Sequence, residues 1–205
     1  SALSVTRQIA SALQAAHECG VIHRDLKPAN IMLTEGIAGY QVKVLDFGMA
    51  KLFARLGDES IAALTREGMA VGTPRYIAPE QARGSQRIGP WTDLYALGLL
   101  LYEMVVGKKA VQHDSVEGAV AAHVRSEPLE LPGLTVAPED VQRLVRRMTR
   151  KDLEERMQAA DEAIEAIDQM SEMQFSDLDE EDDRDWFGPP LGSETDEQGE
   201  EAEQR

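Results

Sequence analysis

Only one of the 205 residues is a cysteine, Cys19, which excludes an internal disulfide and any zinc site built on cysteine thiolates. A lone thiol fits a reducing, cytoplasmic setting, and Cys19 itself is expected to be a small core residue. No apolar stretch approaches the ~20 residues of a membrane span. The longest, Leu94 to Val106, is interrupted by Glu103 and reads as a buried helix. The chain opens at Ser1 without an initiator methionine, signal peptide or transit sequence, and an N-terminal truncation is the expectation. The clustered Lys and Arg of a nucleic-acid-binding surface are also missing.

Negative charge, by contrast, is plentiful and unevenly spread. Fourteen acidic residues against two arginines lie between Ser171 and Arg205, so most of the net charge of −16 belongs to the last 35 residues and the preceding body carries about −4. Past Ser171 the apolar period is lost and Pro189, Pro190 and Gly192 appear. Burial there is too small to offset the entropy of ordering, so 171–205 is expected to be a disordered acidic tail, with Phe175, Trp186 and Phe187 as its only anchors.

The body reads as mainly helical with one small sheet. Val5, Ile9, Leu13 and Ala16 recur at helical spacing and predict an amphipathic helix ended by Gly20. Ile31 to Leu33 and Val42 to Leu45 are strand-like runs joined by a loop from Thr34 to Tyr40, which predicts a hairpin whose ends bring Asn30 and Asp46 toward each other. Between Asp46 and Glu80 the chain has little period and reads as a long functional loop. Further helices are expected over Leu94 to Val106, Val116 to Val124, around Val141 to Met148 after Pro138, and from Ala160 to Met170.

Three strings carry chemistry: His23-Arg24-Asp25-Leu26-Lys27-Pro28-Ala29-Asn30, then Asp46-Phe47-Gly48, then Gly72-Thr73-Pro74-Arg75-Tyr76-Ile77-Ala78-Pro79-Glu80. Their order and spacing resemble the active-site half of a serine/threonine protein kinase, and the last string leans toward the bacterial, Hanks-type branch. The resemblance runs from about Ser1 to Ala160. It implies an α+β, mainly helical kinase fold in which residues 1–170 form the C-terminal lobe, with a small hairpin at the catalytic site. Nothing ahead of His23 could supply a glycine-rich phosphate loop or the nucleotide-clamping lysine, so the N-terminal lobe is expected to be absent from these residues.

What the resemblance implies can be assigned residue by residue. Asp25 would be the catalytic base that accepts the substrate hydroxyl proton, Lys27 would compensate charge on the transferring phosphate, and Thr73 would bond to both. ATP and Mg²⁺ are the implied cofactors. Asn30 and Asp46 would ligate the metal with oxygen, Lys27 would reach the nucleotide, and Gly48 would permit the turn after Asp46. Met32 lies where the family places the lower face of the adenine pocket, and is equally readable as plain core. His23 and Phe47 match the lower half of the spine that joins the two lobes.

Support roles follow in the same way. Glu80 would form a buried ion pair, with Arg156 as its candidate partner, and Leu153 and Met157 stand where the family usually has prolines. Asp93 would hold the catalytic loop by its backbone amides, or else simply satisfy a helix terminus. Arg24 beside the base calls for an anion, which phosphorylation of Thr65 would supply with about 1.5–2 negative charges; Glu67 would provide part of that charge constitutively. His17, His113 and His123 lack metal-ligand spacing and are assigned no chemistry.

The implied partners are ATP, proteins bearing Ser or Thr, and the N-terminal lobe in cis, with no nucleic acid and no membrane segment in this chain. Two other functions remain as alternatives: a catalytically silent protein-docking module, and a small-molecule phosphotransferase of the aminoglycoside type. The second lacks the combination of Lys27, Thr73 and Ala78-Pro79-Glu80.

Overall fold

The computed structural model describes the backbone of residues 1–36, 39–47, 74–113 and 115–182, with side chains up to 172. The expectations for Gly48, Thr65, Glu67, Thr73, Trp186 and Phe187, and for the side chain of Phe175, lie outside these residues. The chain divides into two units, Ser1–Met170 and Ser171–Arg205.

Helix α1 spans Ala2–Glu18, started by Ser1, whose hydroxyl accepts the Ser4 N–H at 3.3 Å. Its apolar period buries Thr6, Ile9, Ala10 and Leu13 on one face. The helix ends where Gly20 adopts a φ of +70° and donates its N–H to the His17 carbonyl at 2.8 Å, a turn that suits glycine because it has no Cβ to clash. Cys19 sits on this turn and is exposed, so it is not the core residue expected of a lone thiol.

A 3₁₀ turn over Pro28–Asn30 leads into strands β1 (Ile31–Gly36) and β2 (Gly39–Val44), an antiparallel pair in register from Ile31 opposite Val44 to Gly36 opposite Gly39. The strands run further than the expected Thr34 to Tyr40 loop allows. Outer hairpin residues such as Tyr40 are exposed, so no apolar alternation marks them in the sequence, and backbone pairing alone extends the ladder. Met32 is 45% exposed, which removes its reading as plain core.

Four helices follow in the first unit: α2 (Pro79–Ala82), α3 (Pro90–Val106), α4 (Val116–Val124) and α5 (Glu139–Met148), with a 3₁₀ turn over Leu134–Val136 between the last two. Helix α3 is buried on nearly every side from Thr92 to Tyr102, which explains its unbroken apolar sequence. It packs on α1 through Ile9 and Leu13 and on α5 through Leu144, Val145 and Met148. At Gly98 the approach is so close that a Cβ would lie 2.8 Å from Met148 Cβ and 2.9 Å from Thr149 Cγ2, so only glycine lets α3 meet the end of α5 here.

Helix α6 spans Ala160–Asp182. Irregular chain from Ser171 onward is therefore not what the backbone of 171–182 shows. That stretch has no Pro or Gly, and Glu172, Met173, Gln174, Leu178, Glu180 and Glu181 favour helix, so local helix propensity continues where the apolar period stops. No helix among the described residues is long and apolar enough to cross a membrane.

A buried polar cluster lies beside α3. Tyr95 Oη and His123 Nδ1 are 2.8 Å apart, and both residues are fully buried. Burial first, and the Lys151 charge second, push the His123 imidazole down to about 4. Because this folded value lies below the unfolded one, the unfolded chain takes up a proton first as pH falls from about 6.5 toward 4. Stability contributed by neutral His123 is thus complete above that window and lost within it. The urea midpoint should drop across this range and drop less steeply in His123→Gln; equal slopes for the two proteins would contradict the assignment.

Candidate active site

The segment 21–30 joins α1 to β1 and is held from behind by α3. Asp93, in the first turn of α3 and 1% exposed, accepts the His23 N–H on Oδ2 and the Arg24 N–H on Oδ1, both at 2.8 Å. His17 Nε2 makes a third contact to Oδ2 at 2.8 Å. Asp93 therefore does hold the loop by its backbone amides. The need for such a clamp is local: Arg24 has a φ of +68°, a conformation that costs a non-glycine residue about 1–3 kcal/mol unless its surroundings fix it.

Glutamine 81 on α2 fixes the other side of Arg24. Its Nε2 donates to the Arg24 carbonyl at 2.7 Å while its Oε1 accepts the Ala78 N–H at 3.1 Å. With Leu26 buried beneath, the backbone on both sides of Asp25 is anchored and the Asp25 side chain is left 57% exposed. Neither Gln81 nor His17 was marked by any sequence signal, since their partners lie 57 and 76 residues away.

Around Asp25 the charged and polar groups converge. Lys27 Nζ lies 2.7 Å from Asp25 Oδ2. Asn30 Nδ2 donates to the Asp25 carbonyl at 2.8 Å and approaches Oδ2 at 3.4 Å. Both contacts fall on Oδ2, so among the described residues Asp25 Oδ1 carries no hydrogen bond. Pro28 at the start of the 3₁₀ turn keeps 27–30 from continuing as helix and brings Asn30 back over the loop.

The hairpin then draws in the second string. Leu45 N–H donates to the Asn30 carbonyl at 2.8 Å, which sets Asp46 next to the residue that bonds Asn30. His23 Nε2 lies 2.8 Å from the Leu45 carbonyl, and its Nδ1 lies 3.3 Å from the Asp25 N–H. A carbonyl can only accept and an N–H can only donate, so the neutral tautomer protonated on Nε2 satisfies both contacts. The His23 ring also meets Phe47 edge-on at 4.9 Å between centroids. Asp46 is exposed with a φ of +60°.

Of the residues singled out from the sequence, Asp25, Lys27 and Asn30 are in mutual contact and Asp46 is brought alongside through Leu45. Met32 is on the exposed hairpin, and Thr73 lies outside the described residues. No group of three or more His, Cys, Asp or Glu among the described residues could hold a metal by itself. The oxygens of Asp46 and Asn30 nonetheless suit a hard cation such as Mg²⁺, which commonly takes only one or two protein oxygens and completes its shell with water and phosphate.

The segment after the loop is pinned by a buried ion pair. Arg156 Nη1 lies 2.8 Å from Glu80 Oε1 and 3.1 Å from Oε2, and Thr92 Oγ1 donates to the same carboxylate at 2.9 Å. This is the pair the resemblance implies, formed although Leu153 and Met157 replace the usual prolines. Arg156 meets its geometry through Arg150 and Lys151 carbonyls instead.

Asp93→Asn tests the clamp. An amide carries only one acceptor oxygen, so its NH₂ would face a backbone N–H that Asp93 now satisfies. A loss of about 1–3 kcal/mol is expected from one unsatisfied buried donor, read as a lower urea midpoint. Amide exchange should accelerate at His23 and Arg24 in particular. Unchanged protection at both amides would show that Asp93 does not hold the loop.

Comparison with known proteins agrees with the geometry. The family model described as protein kinase domain matches residues 1–168. The serine/threonine-protein kinase pkn3 of Myxococcus xanthus is 41% identical over 162 residues, covering 77% of this chain and 29% of the relative. The serine/threonine-protein kinase PknA of Mycobacterium tuberculosis is 42% identical over 131 residues, covering 64% of this chain and 28% of the relative. The chain thus spans less than a third of the length of these curated relatives. A match over most of the chain, together with a clamped Asp25-Lys27-Asn30 loop, leads to one assignment: the chain belongs to the protein kinase domain family, in its bacterial, Hanks-type serine/threonine branch.

Proposed function

We propose that residues 1–170 are the C-terminal lobe of a serine/threonine kinase domain, that 171–205 are an acidic tail, and that the lobe's chemistry is transfer of the ATP γ-phosphate to Ser or Thr hydroxyls of proteins. The observation that carries this reading is the convergence of Lys27 and Asn30 on one carboxylate oxygen of Asp25, which among the described residues leaves the other open to a substrate hydroxyl.

In this mechanism Asp25 orients the hydroxyl and takes its proton on the open Oδ1. Lys27 stays beside Oδ2 and offers its positive charge to the phosphate that approaches the hydroxyl. Asn30, fixed through Nδ2, keeps its oxygen for Mg²⁺, and Asp46 would be the second protein ligand. ATP with Mg²⁺ supplies the electrophilic phosphorus and neutralises its oxygens. Thr73 would bond to Asp25 and Lys27 once the substrate segment is seated. The exposure of Met32 suits contact with adenine, and Leu33 and Tyr40 are exposed apolar residues on the other face of the hairpin. The reaction draws on cytoplasmic ATP, so the lobe is read as cytoplasmic.

Phosphotransfer relies on positioning, and these residues contain no glycine-rich loop or clamp lysine ahead of His23, so the 205 residues alone should show negligible turnover. The test measures phosphate transfer from MgATP to mixed proteins and to small alcohols. The 205-residue chain is compared with a longer form carrying a glycine-rich lobe ahead of residue 1. The longer form should phosphorylate proteins on Ser or Thr at about 1–100 per second and stop on chelation of Mg²⁺. Comparable rates from the 205 residues alone would refute the dependence on a second lobe. Transfer to small alcohols and not to proteins would refute the protein-substrate reading.

A further inference from the structure

Beside the segment 74–78 lies an open recess of about 440 Å³, lined by Arg75, Glu103, Gly107, Lys108, Lys109 and Gln112. Three of the six residues are cations and one is an anion. Arg75 is pinned by an Nη1 bond to the Val111 carbonyl at 2.7 Å, which uses one of its five donors. Among the described residues neither Lys108 nor Lys109 has a side-chain hydrogen bond or ion pair, and both are exposed. Among the described residues the two lysine charges are therefore unspent.

The opposing charges are smaller. Glu103 is engaged as the acceptor of the Tyr76 hydroxyl. Burial, and then the Glu103 bond, push that hydroxyl well up, so Tyr76 remains a donor throughout the neutral range. The C-terminus of α3, closed by Gly107 at a φ of +75°, adds about half a negative charge. Three cations outweigh the sum of these two.

The recess also has a defined relation to the chemistry. Arg75 is three residues before Ala78, whose N–H is held by Gln81, and Gln81 in turn holds the Arg24 carbonyl next to Asp25. The recess is thus joined to the Asp25 loop through one chain segment and two hydrogen bonds.

We propose that Arg75, Lys108 and Lys109 form a subsite for an anionic side chain, carboxylate or phosphate, of the protein substrate, so that this kinase lobe selects acidic or already phosphorylated sequences around the target hydroxyl. The proposal rests on the protein-kinase reading for its substrate class. Its test needs no nucleotide, so the two can fail separately.

The 205-residue chain is titrated into fluorescent peptides in which the target Ser is replaced by Ala and the flanks are acidic, phosphoserine-containing, neutral or basic. Acidic or phosphoserine flanks should bind at least about tenfold more tightly than neutral ones, with basic flanks weakest, and binding should weaken as salt rises. Tighter binding of the phosphoserine peptide than of the Asp and Glu peptide assigns the site to phosphate, and the reverse assigns it to carboxylate. The double reversal Lys108→Glu with Lys109→Glu should abolish the preference. Arg143→Glu on the exposed face of α5 should leave it intact. Both lysines are exposed, so the double variant should keep its fold, checked by circular dichroism. Equal binding of acidic and neutral peptides, no binding of any peptide, or a preference that survives the double reversal would each overturn the proposal while leaving phosphotransfer untouched.

Discussion

Arg156→Met is expected to lower the unfolding free energy of the chain by about 3–5 kcal/mol, the cost of breaking a buried ion pair from one side. Arg156 is 2% exposed and Glu80 4% exposed, so neither charge has water to fall back on. The guanidinium satisfies both Glu80 oxygens, the Arg150 carbonyl at 2.6 Å and the Trp91 carbonyl at 3.3 Å, and lies over the Tyr95 ring at 4.9 Å. Without it, among the described residues the Glu80 carboxylate keeps only the Thr92 hydroxyl. The damage should spread along α2 to Gln81 and so to the Arg24 carbonyl. The measurement is urea unfolding followed by circular dichroism, with Glu80→Met/Arg156→Met alongside. The double variant buries no lone charge and should recover much of the loss. A single variant within about 1 kcal/mol of the parent would show that the pair carries little of the stability.

Asp25→Asn should reduce phosphotransfer by the lobe-carrying form by about 10²–10⁴-fold, the usual contribution of a general base. Stability should change little, because the Asp25 side chain is 57% exposed and the pair with Lys27 lies at the surface, where such pairs are worth about 0–1 kcal/mol. An amide retains the shape of the carboxylate and cannot take the hydroxyl proton. The variant therefore separates base chemistry from loop geometry. Turnover within about threefold of the parent, at saturating MgATP, would remove Asp25 from the role of base.

These two sites differ in how they could be read. The Asp25 loop is written in eight consecutive residues, and its local features are self-contained: Pro28 breaks helix, and Asn30 reaches back only five positions to bond Asp25. The Glu80 pair spans 76 positions, and only resemblance pointed to Arg156. The same contrast holds for the elements. The period in α1 and the apolar run of α3 announced buried helices, whereas the outer hairpin and residues 171–182 were misread because backbone pairing and helix propensity hold them without an apolar pattern. Cys19 was misjudged because residue type reports average burial and not the turn that Gly20 imposes.

By itself the sequence determined the helices with strong apolar periods, the candidate catalytic string around Asp25 and the family to which those residues belong. Resemblance already pointed to Asp93, but tertiary structure alone decided that Gln81 would hold Arg24 from the other side, that His17 would join the clamp, and that Arg75 would share a recess with Lys108 and Lys109. Periodicity and local motifs record how a segment is buried and which turns it can make. Which distant side chains then meet depends on how helices pack, and here the close approach of α3 to its neighbours selects those partners.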